Sequence, residues 1–134
     1  IQSRGGPQQA WQLGQALAPL AARGFLIIGS GNVTHNLRDY QTAARNGGQT
    51  PAYVRQFADW IAARLDAGDI SALLDYRRQA PGAVQSHPSD EHLLPLYVAL
   101  GAGGKNARAE RFHSGIDDYV IAMDAYSFLP RQGG

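Results

Sequence analysis

The sequence predicts an α/β fold, a mixed sheet flanked by helices. A helical pattern over 7–23 runs into a short apolar stretch, 25–28, and then into the glycine-rich segment 29–40. Helix, buried strand and glycine-rich loop in this order are typical of α/β sheets. Nearer the other end, 106–113 and 119–128 have the pattern of two strands joined by a turn.

The first predicted elements are one helix and one strand. Pro7 suits the first turn of a helix over 7–23, and Gly24 follows its end. Pro19 is expected to kink or shorten that helix. The all-apolar run 25–28, bounded by glycines, predicts a strand covered on both faces.

Three more helices are predicted, over 51–67, 70–79 and 89–101. Each begins behind a residue that can accept a hydrogen bond from a free backbone N–H, namely Thr50, Asp69 and Ser89 in turn. The polar residues 41–50 contain two adjacent glycines and predict a loop.

Composition excludes several classes of protein. With 134 residues, 44% hydrophobic and 17% charged, the chain suits one globular domain and not a disordered one. The net charge is +1 and the basic residues are scattered, so nucleic acid is not expected as a partner. No apolar run approaches the roughly 20 residues that span a membrane, and no secretory signal is visible, so a cytoplasmic location is the default expectation.

The first residues suggest a portion of something larger. Ile1 resembles the tail of a strand that runs into a turn. Residues 1–134 are therefore expected to be the C-terminal portion of a larger single domain. A strand edge exposed at Ile1 would need pairing, which predicts association with a missing N-terminal half or with another copy.

His35 is the first candidate functional residue. It follows the predicted buried strand, at the sheet edge where ligands bind in open α/β sheets. Its neighbours Asn32, Thr34 and Asn36 can orient an imidazole, which a catalytic base or a metal ligand requires. The competing interpretation is a histidine that hydrogen-bonds its own loop, and we favour the functional one.

His92 is the second candidate. It falls in the first turn of the helix predicted over 89–101, where the helix dipole favours the neutral imidazole that binds metals. His87 precedes Pro88 and is held in a non-helical conformation. It can therefore line the same site as His35 and His92, although a structural role is favoured. His113, late in a predicted strand, is interpreted as structural or as a neighbour of the site.

Spacing alone gives a weak signal for chemistry. His35 and His92 are separated by 57 positions, and two histidines make an incomplete catalytic metal site. The segment 29–32 lacks the third glycine of a dinucleotide fingerprint and the Lys of a P-loop. A metal-dependent hydrolase with His35 as base stays open, and so does a non-catalytic α/β binding or assembly module that functions only with a partner chain.

Three longer motifs favour another function over these two. These are GSGNVTHNLR at 29–38, HPSDEHLLPLYVALGAGG at 87–104 and RFHSGIDDYVIAMDAYSF at 111–128. In order and spacing they resemble the C-terminal half of the 4,5-DOPA extradiol dioxygenase-like family, within the class III extradiol ring-cleavage superfamily. The resemblance covers nearly the whole chain, and the first two motifs together are fairly specific.

The resemblance implies a function. The family uses one non-haem metal, Fe(II) or Zn(II), to open a catechol with O₂. By position in the motifs, His92 matches a metal ligand and His35 matches the active-site histidine, as acid/base or as a further ligand. Glu91 is a reserve ligand, and Tyr97 and Tyr126 are candidates for the ring pocket or for the core. The family's two early histidine ligands have no counterpart here, so this chain is expected to supply part of an extradiol dioxygenase site and to be inactive alone.

Overall fold

The computed structural model describes residues 5–130. Within that range the chain forms seven helices and four strands. They are α1 (Pro7–Ala22), α2 (Leu37–Arg45), α3 (Ala52–Ala67), α4 (Ile70–Leu74), α5 (Tyr76–Gln79), α6 (Ala83–Ser86), α7 (Leu94–Ala102), β1 (Ala107–His113), β2 (Ile116–Asp117), β3 (Ile121–Ala122) and β4 (Ala125–Pro130). The predicted α/β class is confirmed.

The strands form two antiparallel pairs. β1 pairs with β4 over the register from Ala107 opposite Pro130 to His113 opposite Ala125. The strand predicted over 119–128 is divided between β3 and β4. The short strand β3 pairs instead with β2, as a small hairpin between the two long strands. This hairpin reaches back toward the segment that carries His35.

α1 lies directly against α7 because both helices have glycine at the crossing. A Cβ at Gly14 would overlap the backbone of α7 at Val98, and one at Gly101 would overlap the backbone of α1 at Trp11. Side chains at these two positions would push the helices apart. Glycine therefore sets how closely the two helices approach.

The core lies among α3, the short helices, α7 and the β2–β3 hairpin. Its largest completely buried apolar side chains are Phe57, Ile61, Leu73, Tyr76, Leu93, Leu94 and Tyr97. The buried hydroxyl of Tyr97 donates to the Leu73 carbonyl at 2.6 Å, which satisfies the one polar atom of that ring. No helix among residues 5–130 combines the length and the apolarity that crossing a membrane requires.

Several predicted elements are confirmed. α1 and α3 cover the predicted ranges almost completely. The Asp69 carboxylate caps α4 by accepting from the Ala72 N–H at 3.1 Å. Pro19 neither ends nor shortens α1, which continues to Ala22.

The helix predicted over 70–79 is divided at Asp75 into α4 and α5, and three helix boundaries also differ from prediction. α2 occupies 37–45, where part of a loop was expected, because Asn36 caps it. The residue before α3 is Pro51, with no side-chain cap, so Thr50 is not the N-cap. The last helix begins at Leu94 and not behind Ser89, because Pro95 lacks the N–H that a position deeper in a helix would use.

The expected buried strand over 25–28 is wrong for the part of the chain described. Phe25, Leu26 and Ile28 are 57%, 82% and 76% exposed, and no strand within residues 5–130 pairs with this segment. The run has the composition of a buried strand, but no element of residues 5–130 covers its outer side. The strand proposed at Ile1 lies outside the described residues.

Candidate active site

Two glycines bring the segment after the apolar run against the start of α7. A Cβ on Gly29 would overlap the Pro95 carbonyl, and one on Gly31 would overlap the His92 carbonyl. The next residue, Asn32, donates its backbone N–H to the same His92 carbonyl at 2.8 Å. The glycines that follow the apolar run therefore allow a close approach to the residue that the second motif supplies.

Residues 31–36, here the His35 loop, are held on one side by the β2–β3 hairpin. The Val33 N–H donates to the Ala122 carbonyl at 3.0 Å. The completely buried Thr34 hydroxyl donates to the Val120 carbonyl at 2.8 Å and accepts from the Ala122 N–H at 2.7 Å. One side chain thus satisfies a donor and an acceptor of the hairpin.

The segment 85–87 holds the other side of the loop. The His35 N–H donates to the Ser86 carbonyl at 2.9 Å. The Asn36 amide donates to the Gln85 carbonyl at 2.7 Å, while its oxygen accepts from the Arg38 N–H and caps α2. The prediction that Asn32, Thr34 and Asn36 orient the imidazole of His35 is modified. In the structure the polar contacts of Thr34 and Asn36 fix the backbone of the loop instead, and the Asn32 amide donates to the sulfur of Met123 at 2.9 Å.

His35 and His92 lie side by side. Their ring centroids are 3.6 Å apart and the ring planes are inclined by 20°. The Glu91 carboxylate lies 3.7 Å from Nε2 of His92, on a side chain that is more than half exposed. Partial burial, and then the neighbouring His92, lower the pKa of His35, which favours its neutral form.

His92 is not in a helix. It lies in the turn before α7, so the prediction that it falls in the first turn of a helix is wrong. The side chain of His92 remains 39% exposed and accessible to a ligand. The turn places it at the His35 loop through the bond from Asn32.

The other two histidines are not part of this pair. His87 is completely buried, and its Nε2 lies 2.6 Å from the Val33 carbonyl. Burial lowers the pKa of His87 to about 4. His113 is exposed at the end of β1.

The two tyrosines that were candidates for the ring pocket lie in different surroundings. Tyr97 belongs to the core. Tyr126 is partly exposed and borders an open apolar groove that also reaches His92. The groove has a cavity volume of about 930 Å³ and is lined by 25–33 together with parts of α1, α7 and β4. Sequence patterns gave no sign of this groove, because it exists only where the apolar run is left uncovered.

The histidine pair fits part of a metal centre. Neutral imidazoles are good ligands for iron and zinc, and both rings are partly accessible. Within the described range, no group of three or more His, Cys, Asp or Glu side chains could hold a metal ion. A catalytic centre usually takes three protein ligands, so residues 5–130 offer fewer than such a site requires.

Comparisons with known proteins agree with the motifs. Residues 3–128 match the family described as the catalytic LigB subunit of aromatic ring-opening dioxygenase. The 4,5-DOPA dioxygenase extradiol of Beta vulgaris is 38% identical over 118 residues, which cover 88% of this chain and 43% of that protein. The protein of the same name from Mirabilis jalapa is 37% identical, over 90% of this chain and 44% of its own length.

The fold also has a solved counterpart. The crystal structure of an uncharacterized protein from Escherichia coli K12 superimposes with a TM-score of 0.75 at 24% identity. The match covers 94% of this chain and 52% of that one. This chain spans less than half the length of the curated relatives. The match over nearly all of residues 1–134 nevertheless confirms the family that the three motifs predict, and the chain belongs to the family of the catalytic LigB subunit of aromatic ring-opening dioxygenase.

Proposed function

We propose that this chain supplies part of the active site of a non-haem metal-dependent extradiol dioxygenase that opens a catechol, DOPA or another aromatic diol, with O₂. The observation that carries the proposal is the contact between the rings of His35 and His92, from segments 57 positions apart. Both residues lie in the motifs of the family. The names of the curated relatives support a DOPA-like substrate.

The two histidines have different roles in this proposal. His92 is accessible and would hold the metal, Fe(II) or Zn(II). His35 either ligates the same metal or accepts a proton from a catechol hydroxyl, for which its neutral form is the competent one. When bound, Fe(II) supplies a Lewis acid that brings the diol and O₂ together.

The remaining ligands are proposed to come from outside the described residues. The preferred source is an N-terminal half that covers the apolar groove beside His92, and the alternative source is another copy of this chain. The exposed side chains of Phe25, Leu26 and Ile28 support either partner, because apolar side chains beside a backbone that pairs with no strand of residues 5–130 favour pairing with another strand. The same groove is the observation that favours the second candidate function, a binding or assembly module without catalysis.

Metal binding by the chain alone tests the roles of the two histidines. Zinc titrated into the chain by calorimetry is expected to bind weakly. Substituting His92→Ala is expected to lower the affinity by about tenfold or more, and His35→Ala is expected to lower it as much if His35 is a ligand and to leave it unchanged if His35 only accepts a proton. His113→Ala is the matched control, because that histidine is exposed at the end of β1, and it is expected to bind zinc as the unaltered chain does. Equal affinity in all four proteins would contradict the assignment.

Turnover requires a complete site. The chain can be joined to the portion of the Beta vulgaris relative that lies outside the match and loaded with Fe(II). Uptake of O₂ that depends on L-DOPA is then expected, with a loss of about 100-fold or more in the His35→Ala and His92→Ala forms. A complex that assembles, binds iron and consumes no O₂ with any catechol would instead favour the binding module.

A further inference from the structure

We propose that His87 is a positioning residue that holds the His35 loop in place through the carbonyl of Val33. The inference rests on the proposed function of the His35–His92 pair and extends it to a residue that touches neither substrate nor metal. It begins from the contact of 2.6 Å between His87 Nε2 and the Val33 oxygen.

The bond determines the form of the ring. A carbonyl oxygen only accepts hydrogen bonds, so Nε2 of His87 must carry the proton. Nδ1 is buried and has no hydrogen-bond partner among residues 5–130, so a proton there would be left unpaired. The site therefore selects the neutral tautomer with hydrogen on Nε2.

Aromatic neighbours hold the ring in this orientation. Phe57 meets it at a centroid distance of 5.6 Å and an interplanar angle of 62°, and Tyr76 meets it at 6.5 Å and 89°. Both are edge-on arrangements between residues with no exposed surface. Arg77 also donates to the backbone carbonyl of His87 at 3.0 Å. The donor is thus fixed at both its ring and its backbone.

The bond is one of three successive contacts between two segments. His87 holds Val33, the Ser86 carbonyl accepts from the N–H of His35, and the Gln85 carbonyl accepts from the Asn36 amide. Of these three contacts, the bond to Val33 is the one whose donor is a completely buried imidazole. Without it, the buried Val33 carbonyl would lose its partner two residues before His35.

If His87 only filled space in the core, its N–H donor to the Val33 carbonyl would not matter. Gln and Met provide a matched pair of substitutions, because both are unbranched and similar in length and only Gln carries an N–H. His87→Gln is expected to keep the bond to Val33. His87→Met is expected to fill the space and lose the bond.

The experiment measures the geometry of the histidine pair directly. In NMR spectra of the 134-residue chain, nuclear Overhauser contacts between the rings of His35 and His92 are expected in the unaltered protein and in His87→Gln. They are expected to weaken or disappear in His87→Met, together with a loss of about tenfold in zinc affinity. A folded His87→Met form that keeps these contacts and this affinity, and is merely less stable, would overturn the proposal.

A second measurement needs no variant. The ¹⁵N shifts of the His87 ring in the unaltered chain should show the proton on Nε2, and finding it on Nδ1 would overturn the proposal even if His87→Met failed to fold. The ring contacts also separate this inference from the proposed function. If His35 and His92 stay in contact only when His87 or Gln is present but bind no metal, positioning is correct and the metal assignment fails.

Discussion

At the scale of single residues, the surroundings give three histidines three roles. His92 keeps an accessible ring, His35 is partly buried beside it, and His87 is enclosed by aromatic side chains. Because burial penalises the charged imidazolium, the most enclosed ring has its pKa lowered to about 4. That ring is the least suited to exchange protons with a substrate and the best suited to serve as a permanent hydrogen-bond donor.

The lowered pKa of His87 predicts how stability changes with pH. Its pKa is about 4 in the folded chain, against the ordinary value of 6.5. Between these values the unfolded chain binds more protons at this residue, so the free energy of unfolding rises with pH across that window. The contribution of His87 reaches roughly 3 kcal/mol above pH 6.5 and is lost as the pH falls toward 4.

Urea unfolding at several pH values between about 4.5 and 7 measures this slope. His87→Gln is the matched variant, because it keeps a donor and cannot titrate in this range. The free energy of unfolding of the unaltered chain is expected to depend on pH more steeply than that of the variant. Parallel curves for the two proteins would mean that His87 takes up its proton equally easily in the folded and unfolded chain.

At the scale of elements, α2 depends on its N-cap residue, Asn36. A helix of nine residues is too short to be stable by propensity alone. Asn36 caps it and also binds the Gln85 carbonyl, so one amide side chain joins the start of α2 to the end of α6. The same residue ends the His35 loop, and the helix boundary and the site are therefore stabilised together.

Two substitutions at Asn36 separate the helix cap made by its side-chain oxygen from the two bonds that its side-chain nitrogen donates, to the Gln85 carbonyl and to the Asp39 carboxylate. Ser can cap a helix but cannot reach the Gln85 carbonyl, whereas Ala does neither. We expect Asn36→Ser to lower the free energy of unfolding by about 1 kcal/mol and Asn36→Ala to lower it by about 2 kcal/mol, measured by urea unfolding. Equal losses would show that the cap contributes nothing and that the bonds donated by the amide nitrogen, to Gln85 and Asp39, carry the whole effect.

At the scale of the whole molecule, the groove beside His92 is the unusual surface. Phe25, Leu26 and Ile28 are exposed although the run 25–28 has the composition of a buried strand, and the groove extends from this run across α1, α7 and β4. Contiguous apolar surface of this kind promotes association in water. The chain alone is therefore expected to associate with itself at high concentration.

Sedimentation of the chain with Leu26→Glu and Ile28→Glu tests this expectation. The double variant is predicted to remain monomeric at concentrations where the unaltered chain associates, because two carboxylates would have to be buried in the contact. Val84→Glu is the control, since Val84 is 60% exposed on α6 and does not line the groove. Association that persists in the double variant and is lost with Val84→Glu would place the contact elsewhere.

The sequence by itself determined the local elements and the candidate pair. The spacing of apolar residues identified α1 and α3, and Asp69 marked the start of α4. The motifs around His35 and His92 identified the family. These features depend on neighbours along the chain or on short patterns, and both are visible without a structure.

Only the tertiary structure decided which surfaces are covered and what holds the site. The run 25–28 has the pattern of a buried strand, and its exposure depends on elements far from it in sequence. Likewise, the bonds from Thr34 to the β2–β3 hairpin and from His87 to Val33 join residues 86 and 54 positions apart. No periodicity encodes such contacts, because they arise when separate segments pack together and each buried polar group must find its partner.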